Sequence, residues 1–233
     1  MSHNLFKWKH FESEIIILCV RWYLKYPLSY RMLVEMMQER GLNLTHTTIM
    51  RWVHQYSPII SEKIRKHLKP KNDSWRMDET YLKIKGKNAY LYRAIDSKGN
   101  TIDFFLSEHR DKDAAKKFFK KALKASHNQQ PRVITTDKYT ATEIAIHEMI
   151  YGGIISVKTT LRKIKYLNNI IEQDHLFIKK KIKPMLGFDS FQTAEKTICG
   201  IETMNMVKKR QVEEIQSALS EVQFFNKIMG ISA

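Results

Sequence analysis

Near residue 70 the hydrophobic period of this 233-residue chain changes from that of helices to that of strands. Upstream, apolar residues recur three and four apart. Downstream, WRMDETYLKIK (75–85), YLYRAID (90–96) and TIDFFL (101–106) are rich in β-forming residues, and the short links GKNA and SKGN join them into an antiparallel meander. A helical pattern follows in DKDAAKKFFKKALKAS, with Ala115, Phe118, Phe119, Ala122 and Leu123 on one face. Then come a short strand, RVITT, ending at Asp137; a helix in TATEIAIHEMI; a strand at IISV (154–157); and a helix through KYLNNIIEQDHLFIKKKIK (165–183). An antiparallel meander leading into alternating helices and strands builds a mixed α/β sheet with helices on its faces.

The segment before the change reads as three helices. In FESEIIILCVRWYLKY the residues Phe11, Ile15, Leu18 and Trp22 form an apolar stripe, and Pro27 ends the helix. Ser29 is placed to cap a second helix carrying Leu33, Met36 and Met37 inward, with Gly41 as its stop. Thr45 is placed to cap a third, HTTIMRWVHQY, with Ile49, Trp52, Val53 and Tyr56 inward and Thr47, Thr48, Arg51 and His54 on the polar side. Two such helices around a Gly-containing turn match a helix-turn-helix. SEKIRKHLKPKNDS (61–74) is a charged connector, so the expected division is a helix-turn-helix domain at 1–70, a core at 71–188 whose element order is that of a ribonuclease-H-like fold, and a helical C-terminal tail at 189–233.

The formal net charge is +16. A field of that sign concentrates polyanions at the surface and makes nucleic acid the leading partner. The longest apolar run, IIILCV at 15–20, is too short to span a bilayer, and the opening residues lack the apolar core of a signal peptide. No membrane association and a cytoplasmic location are therefore expected. Cys19 and Cys199 stand alone, which excludes a zinc ribbon or a disulfide framework.

Against this basic background three acids occupy telling places. Asp78 lies within the first strand, Asp137 directly follows the fourth, and Glu172 sits on the helix at 165–183 among lysines. Open α/β sheets gather ligands at the carboxyl ends of their parallel strands. Three carboxylates brought together there repel one another unless hard cations lie between them, and magnesium suits such donors. Two ions can activate a nucleophile and stabilise the leaving oxygen of a phosphoryl transfer. On a continuous helix, His175 and Lys179 share the face of Glu172, ready with Lys180 to bind a DNA backbone, while Asp174 lies about 200° away as a surface acid. Glu79, Asp96, Asp103 and Glu143 are the acids expected to serve only as turn, cap or surface residues.

The runs HFESEIIILCVRWYLKYPLSYR, HTTIMRWV, RMDETYLKIKGK, YLYRAID, TTDK, NNIIEQDH and KTICGIETM resemble those of bacterial DDE-type insertion-sequence transposases, in the family numbered six, over residues 5 to 205. The resemblance implies that Asp78, Asp137 and Glu172 are the catalytic triad, with the usual 34 residues between the last two, and that Lys179 is the basic residue two turns on. It implies two Mg2+ ions, with Mn2+ as substitute. It also implies cleavage at terminal inverted repeats of double-stranded DNA, attack of the freed 3′ hydroxyl on target DNA, and a homo-oligomer that holds two ends at the nucleoid. Two departures stand out: Asn88 where the family has tryptophan, and Tyr139-Thr140 where it has a small residue and proline. The rival expectations are a catalytically decayed relative that only binds repeats, and a nuclease that cuts without joining.

Overall fold

The structure is a computed structural model and describes residues 5–231 apart from 138, 164 and 186, with the backbone alone for 165–168. Lys138 of the TTDK run thus lies outside the described residues. The chain forms two compact units, one of residues 1–68 with 192–233 and one of residues 69–191.

The first unit opens with α1 (Ser13–Lys25), α2 (Tyr30–Gln38) and α3 (His46–Ile64). Local chemistry sets the ends of the latter two. Ser29 accepts from the Met32 amide, Thr45 accepts from the Thr48 amide, and Gly41 takes a φ of +73° that ordinary residues avoid. The inward stripe of α1 differs from expectation: Ile16, Ile17, Val20, Tyr23 and Leu24 are buried, while Phe11, Ile15, Leu18 and Trp22 are only half-buried. The shift accommodates Arg21, which is buried on this helix and ion-paired with Glu221 at 2.6 Å over the ring of Phe225.

Helix α3 also runs farther than expected. It continues through Pro58 to Ile64, because Ile60 and Ile64 prolong the buried row of Ile49, Trp52, Val53 and Tyr56. The connector read at 61–74 therefore begins as helix, followed by a 3-10 turn at Arg65–His67. The C-terminal segment is helical, with α8 (Phe191–Lys208) and α9 (Ala218–Met229), and it is built into this unit rather than standing free of it. Lys25 joins Arg21 on Glu221, and Leu68 bridges Val212. Gly200 permits this packing: a Cβ there would meet Leu24 Cδ1 and Ser57 Oγ at 2.7 Å each.

The second unit holds a five-stranded mixed sheet of order β3-β2-β1-β4-β5. β1 (Ser74–Ile84), β2 (Lys87–Asp96) and β3 (Thr101–Ser107) form the meander, and β4 (Val133–Thr135) and β5 (Thr160–Arg162) extend it in parallel beyond β1. This α/β order is ribonuclease-H-like. Helices α4 (Lys112–Lys124) and α5 (Thr140–Tyr151) cover one face, where Trp75, Met77, Tyr92, Phe118, Phe119, Ile134 and Ile146 share a core.

The expected strand at 154–157 is absent, and β5 begins at Thr160 instead. The end of α5 consumes the backbone that such a strand needs. Gly153 turns left-handed at φ +70°, and the amides of Ile154 and Ile155 both donate to the Met149 carbonyl, which is helix-end bonding. The helix expected over 165–183 is likewise divided, by a tighter turn at His175 whose amide still bonds the Ile171 carbonyl, into α6 (Lys165–Asp174), which lies against β1, and α7 (Leu176–Ile182).

Candidate active site

The strand register assembles the site. β1 and β4 run parallel with Arg76 opposite Thr135, so Asp137, two residues past that pair, comes level with Asp78. Alternation along β1 sends Asp78 to the face of α6 and Glu79 to the face of α4 and α5. The partners agree: Asp78 is opposite Arg93 on β2, and Glu79 is opposite Tyr92, a member of the α4–α5 core. Asp78, Glu79 and Asp137 nonetheless each bring an oxygen to within 4.8 Å of the others. Among the described residues this is the one acidic group that converges in this way, and Glu172 is not in it. Glu172 lies exposed on α6.

Glu79, expected to be a structural acid, is thus inside the group. Its side chain is 2% exposed, and its carboxylate takes a hydrogen bond from Arg110 Nη2 at 3.0 Å and another from the Thr142 hydroxyl at 2.9 Å. Burial raises its pKa above the ordinary glutamate value, and the two donors only partly offset this. Arg110 also reaches Asp137 at 3.5 Å.

Tyr139, one of the departures from the family pattern, clamps Arg110. Its ring lies 3.9 Å from the guanidinium, its hydroxyl donates to the Arg110 carbonyl at 2.7 Å, and its amide donates to Asp137 Oδ1 at 3.0 Å. Thr140 is the first residue of α5, a position where proline is also at home. Asn88 is opposite Lys83, five ladder positions from the pair of Asp78 and Arg93, or about 17 Å along the strand.

On the other face two side chains, His175 and Asp174, differ from expectation. Glu172 and Lys179 are exposed, whereas His175 is 3% exposed and holds Asp78 Oδ2 from Nε2 at 3.1 Å. A buried imidazole is not a DNA contact. Asp174 is no surface acid either, since it pairs with the fully buried Arg93 at 2.7 Å. The cause of both is Arg93, whose charge inside the unit requires an anion and acceptors beside it.

Lys179 and Lys180 are exposed, beside Tyr81, Leu82, Leu176 and Ile182 in a groove of about 450 Å³. On α3, Thr47 and Arg51 are exposed. Thr48 is half-buried, and both threonine hydroxyls lie 2.9 Å from that of Thr45. His54 is half-buried, and burial, aided by Lys196, lowers its pKa.

The other acids set aside do structural work. Asp96 accepts from the Lys98 and Asn100 amides, Asp103 pairs with Lys121, and Glu143 pairs with Lys163. What sequence reasoning missed are Glu79, Asp174, Arg93 and Arg110. For Arg93 the signal was present, as the single charge in the interior of YLYRAI.

Residues 72–211 match the family described as a DDE domain. The transposase for the insertion sequence-like element IS431mec of Staphylococcus aureus is 39% identical over 213 residues, 91% of this chain and 92% of the relative. The transposase for insertion sequence element IS257 in transposon Tn4003, from the same species, is 38% identical over the same shares. Among solved structures, the magnesium complex of the HTLV-2 integrase catalytic core domain superposes on 57% of this chain and 85% of that one, with a TM-score of 0.44 and 16% identity.

Proposed function

Because the chain belongs to the DDE-domain transposases of insertion sequences, in the family numbered six, we propose that it binds the terminal inverted repeats of its element, cleaves at their 3′ ends and joins the freed hydroxyls to target DNA with magnesium. As a DDE transposase it is a polynucleotidyl transferase. The observation that carries the finer reading is the convergence of Asp78 and Asp137, from adjacent parallel strands, in a chain of net charge +16.

The donor set fits a hard divalent cation: carboxylate oxygens from Asp78, Glu79 and Asp137 within 4.8 Å, with no sulfur or imidazole among them. Asp78 and Asp137 are the residues to hold magnesium or manganese, with Glu172 as the third ligand. A cation bound there supplies Lewis-acid polarisation of the phosphodiester and a lowered pKa for water. The chain's own residues bind and orient. Lys179 and Lys180 take the backbone beside the cut, and α3 offers Arg51 and Thr47 to base edges in the major groove. Two ends must be held for joining, which calls for a homo-oligomer. No helix among the described residues is long and apolar enough to cross a membrane. The proposed location is the cytoplasm, at the nucleoid when DNA is bound.

A second reading, repeat binding without cleavage, draws on Glu172 standing outside the converging group. A strand-transfer assay with a pre-cut repeat end and magnesium separates the two. Wild type is expected to join, and Glu172→Gln to lose about 100-fold or more while still binding the repeat. Arg51→Ala is expected to lose repeat binding. Joining undiminished in Glu172→Gln removes that residue from the triad. Repeat binding without joining by wild type selects the second reading.

A further inference from the structure

One oxygen of Asp78 is already engaged from behind. Arg93 stands opposite it across the β1–β2 ladder, with no solvent exposure. Its guanidinium is fixed on several sides: Nη2 on Asp174 Oδ2 at 2.7 Å, the ring of Phe177 at 4.9 Å, and Nη1 on His175 Nδ1 at 3.2 Å. A guanidinium only donates, so Nδ1 must accept and the hydrogen of a neutral imidazole must sit on Nε2. That is the nitrogen facing Asp78 Oδ2 at 3.1 Å. An imidazolium would set an N–H against an N–H.

We propose that Arg93 and His175 are positioning residues for Asp78: Arg93 selects the tautomer of His175, and the Nε2–H of His175 fixes the orientation of the carboxylate that receives the metal. The inference deepens the function proposed above and rests on Asp78 being a metal-holding carboxylate. Donors behind a ligand restrict its rotation and set its basicity, and their loss costs 10- to 100-fold in metal affinity. Asp174 and His175, consecutive in sequence, both turn to one buried arginine.

Two measurements test this on the full chain. In the metal-free protein, nitrogen-15 spectra of labelled histidine, with His175 assigned by its loss in His175→Gln, are expected to give a neutral ring protonated at Nε2. A ring protonated at Nδ1, or at both nitrogens, overturns the proposal. Calorimetric titration with Mn2+ then compares wild type with two amides. Gln places an N–H near the Nε2 position and is expected to bind close to wild type. Asn places it near Nδ1 and is expected to bind about 10- to 100-fold more weakly.

Equal affinity in the two variants, whether strong or weak, overturns the role given to the Nε2 donor. If Asn does not fold by circular dichroism, weak binding by folded Gln is sufficient to overturn it. Asp78→Asn is the control. Mn2+ affinity unchanged there defeats the metal reading itself, and this inference with it, by a distinct result.

Discussion

Lys71 offers a quantitative check on the second unit. It is 2% exposed, and its ammonium donates to the Lys69 carbonyl at 2.6 Å. Burial pushes its pKa down from the ordinary lysine value of 10.5 to about 8, against the pull of Asp96. A lysine whose folded pKa lies below its unfolded one penalises folding wherever both states are charged. The penalty is complete below pH 8 and disappears as pH rises from 8 through 10.5.

A shift of this size corresponds to about 3 kcal/mol at pH 7. Lys71→Met keeps the apolar stem and removes the charge, giving up one hydrogen bond worth about 1 kcal/mol. The variant is therefore expected to be about 2 kcal/mol more stable at neutral pH, or about 1 M in urea midpoint at a slope near 2 kcal/mol/M. Its advantage should be gone near pH 10. Urea denaturation of both proteins across that range reads the difference directly, and the comparison cancels groups common to both, such as Cys19 and the buried tyrosines. A variant that is equal or weaker at pH 7, or an advantage that grows with pH, refutes the reasoning.

Two further outcomes follow from packing in the first unit. Gly200→Ala places a methyl 2.7 Å from Leu24 Cδ1 and from Ser57 Oγ, a hydroxyl already committed to the Val53 carbonyl at 2.6 Å. It should cost about 1–3 kcal/mol in thermal or urea unfolding, and an unchanged midpoint would show that the helices separate freely. Cys19 has no exposure and its thiol is pushed up to about 12 by burial, so an aromatic disulfide reagent should label Cys199 first and Cys19 only on unfolding. Equal labelling rates in the folded protein would contradict this.

What could be read from the sequence was local. Ser29 and Thr45 announce their helices because capping is a bond between a side chain and an amide three residues away. The three long strands show themselves by composition and short turns, and the level of Asp78 with Asp137 follows once β1 and β4 are neighbours. What escaped depends on partners far along the chain. The period of LNNIIEQDHLFI runs on through His175, and nothing local shows that Asp174 and His175 meet Arg93, 81 and 82 residues earlier. Ile154 and Ile155 have a strand's composition, yet their amides close a helix. Phe224 and Phe225 are both buried, with Phe225 under Arg21, a partner about 200 residues away that no local pattern shows. Glu79 escapes a sequence reading because a neighbour in a strand points to the other face, yet its oxygen lies within 4.8 Å of those of Asp78 and Asp137.

The first unit takes its helices from both ends of the described chain, with about 120 residues of the other unit between them. On a ribosome adding roughly 5–20 residues each second, α1–α3 wait about 6–25 s before the first residues of α8 exist. The catalytic sheet, by contrast, is continuous in sequence and can close as soon as it emerges. The order of completion is thus the reverse of the order in the chain: the unit that carries Asp78 and Asp137 is whole before the unit that carries α3, and a message broken off before α9 leaves Arg21 without Glu221.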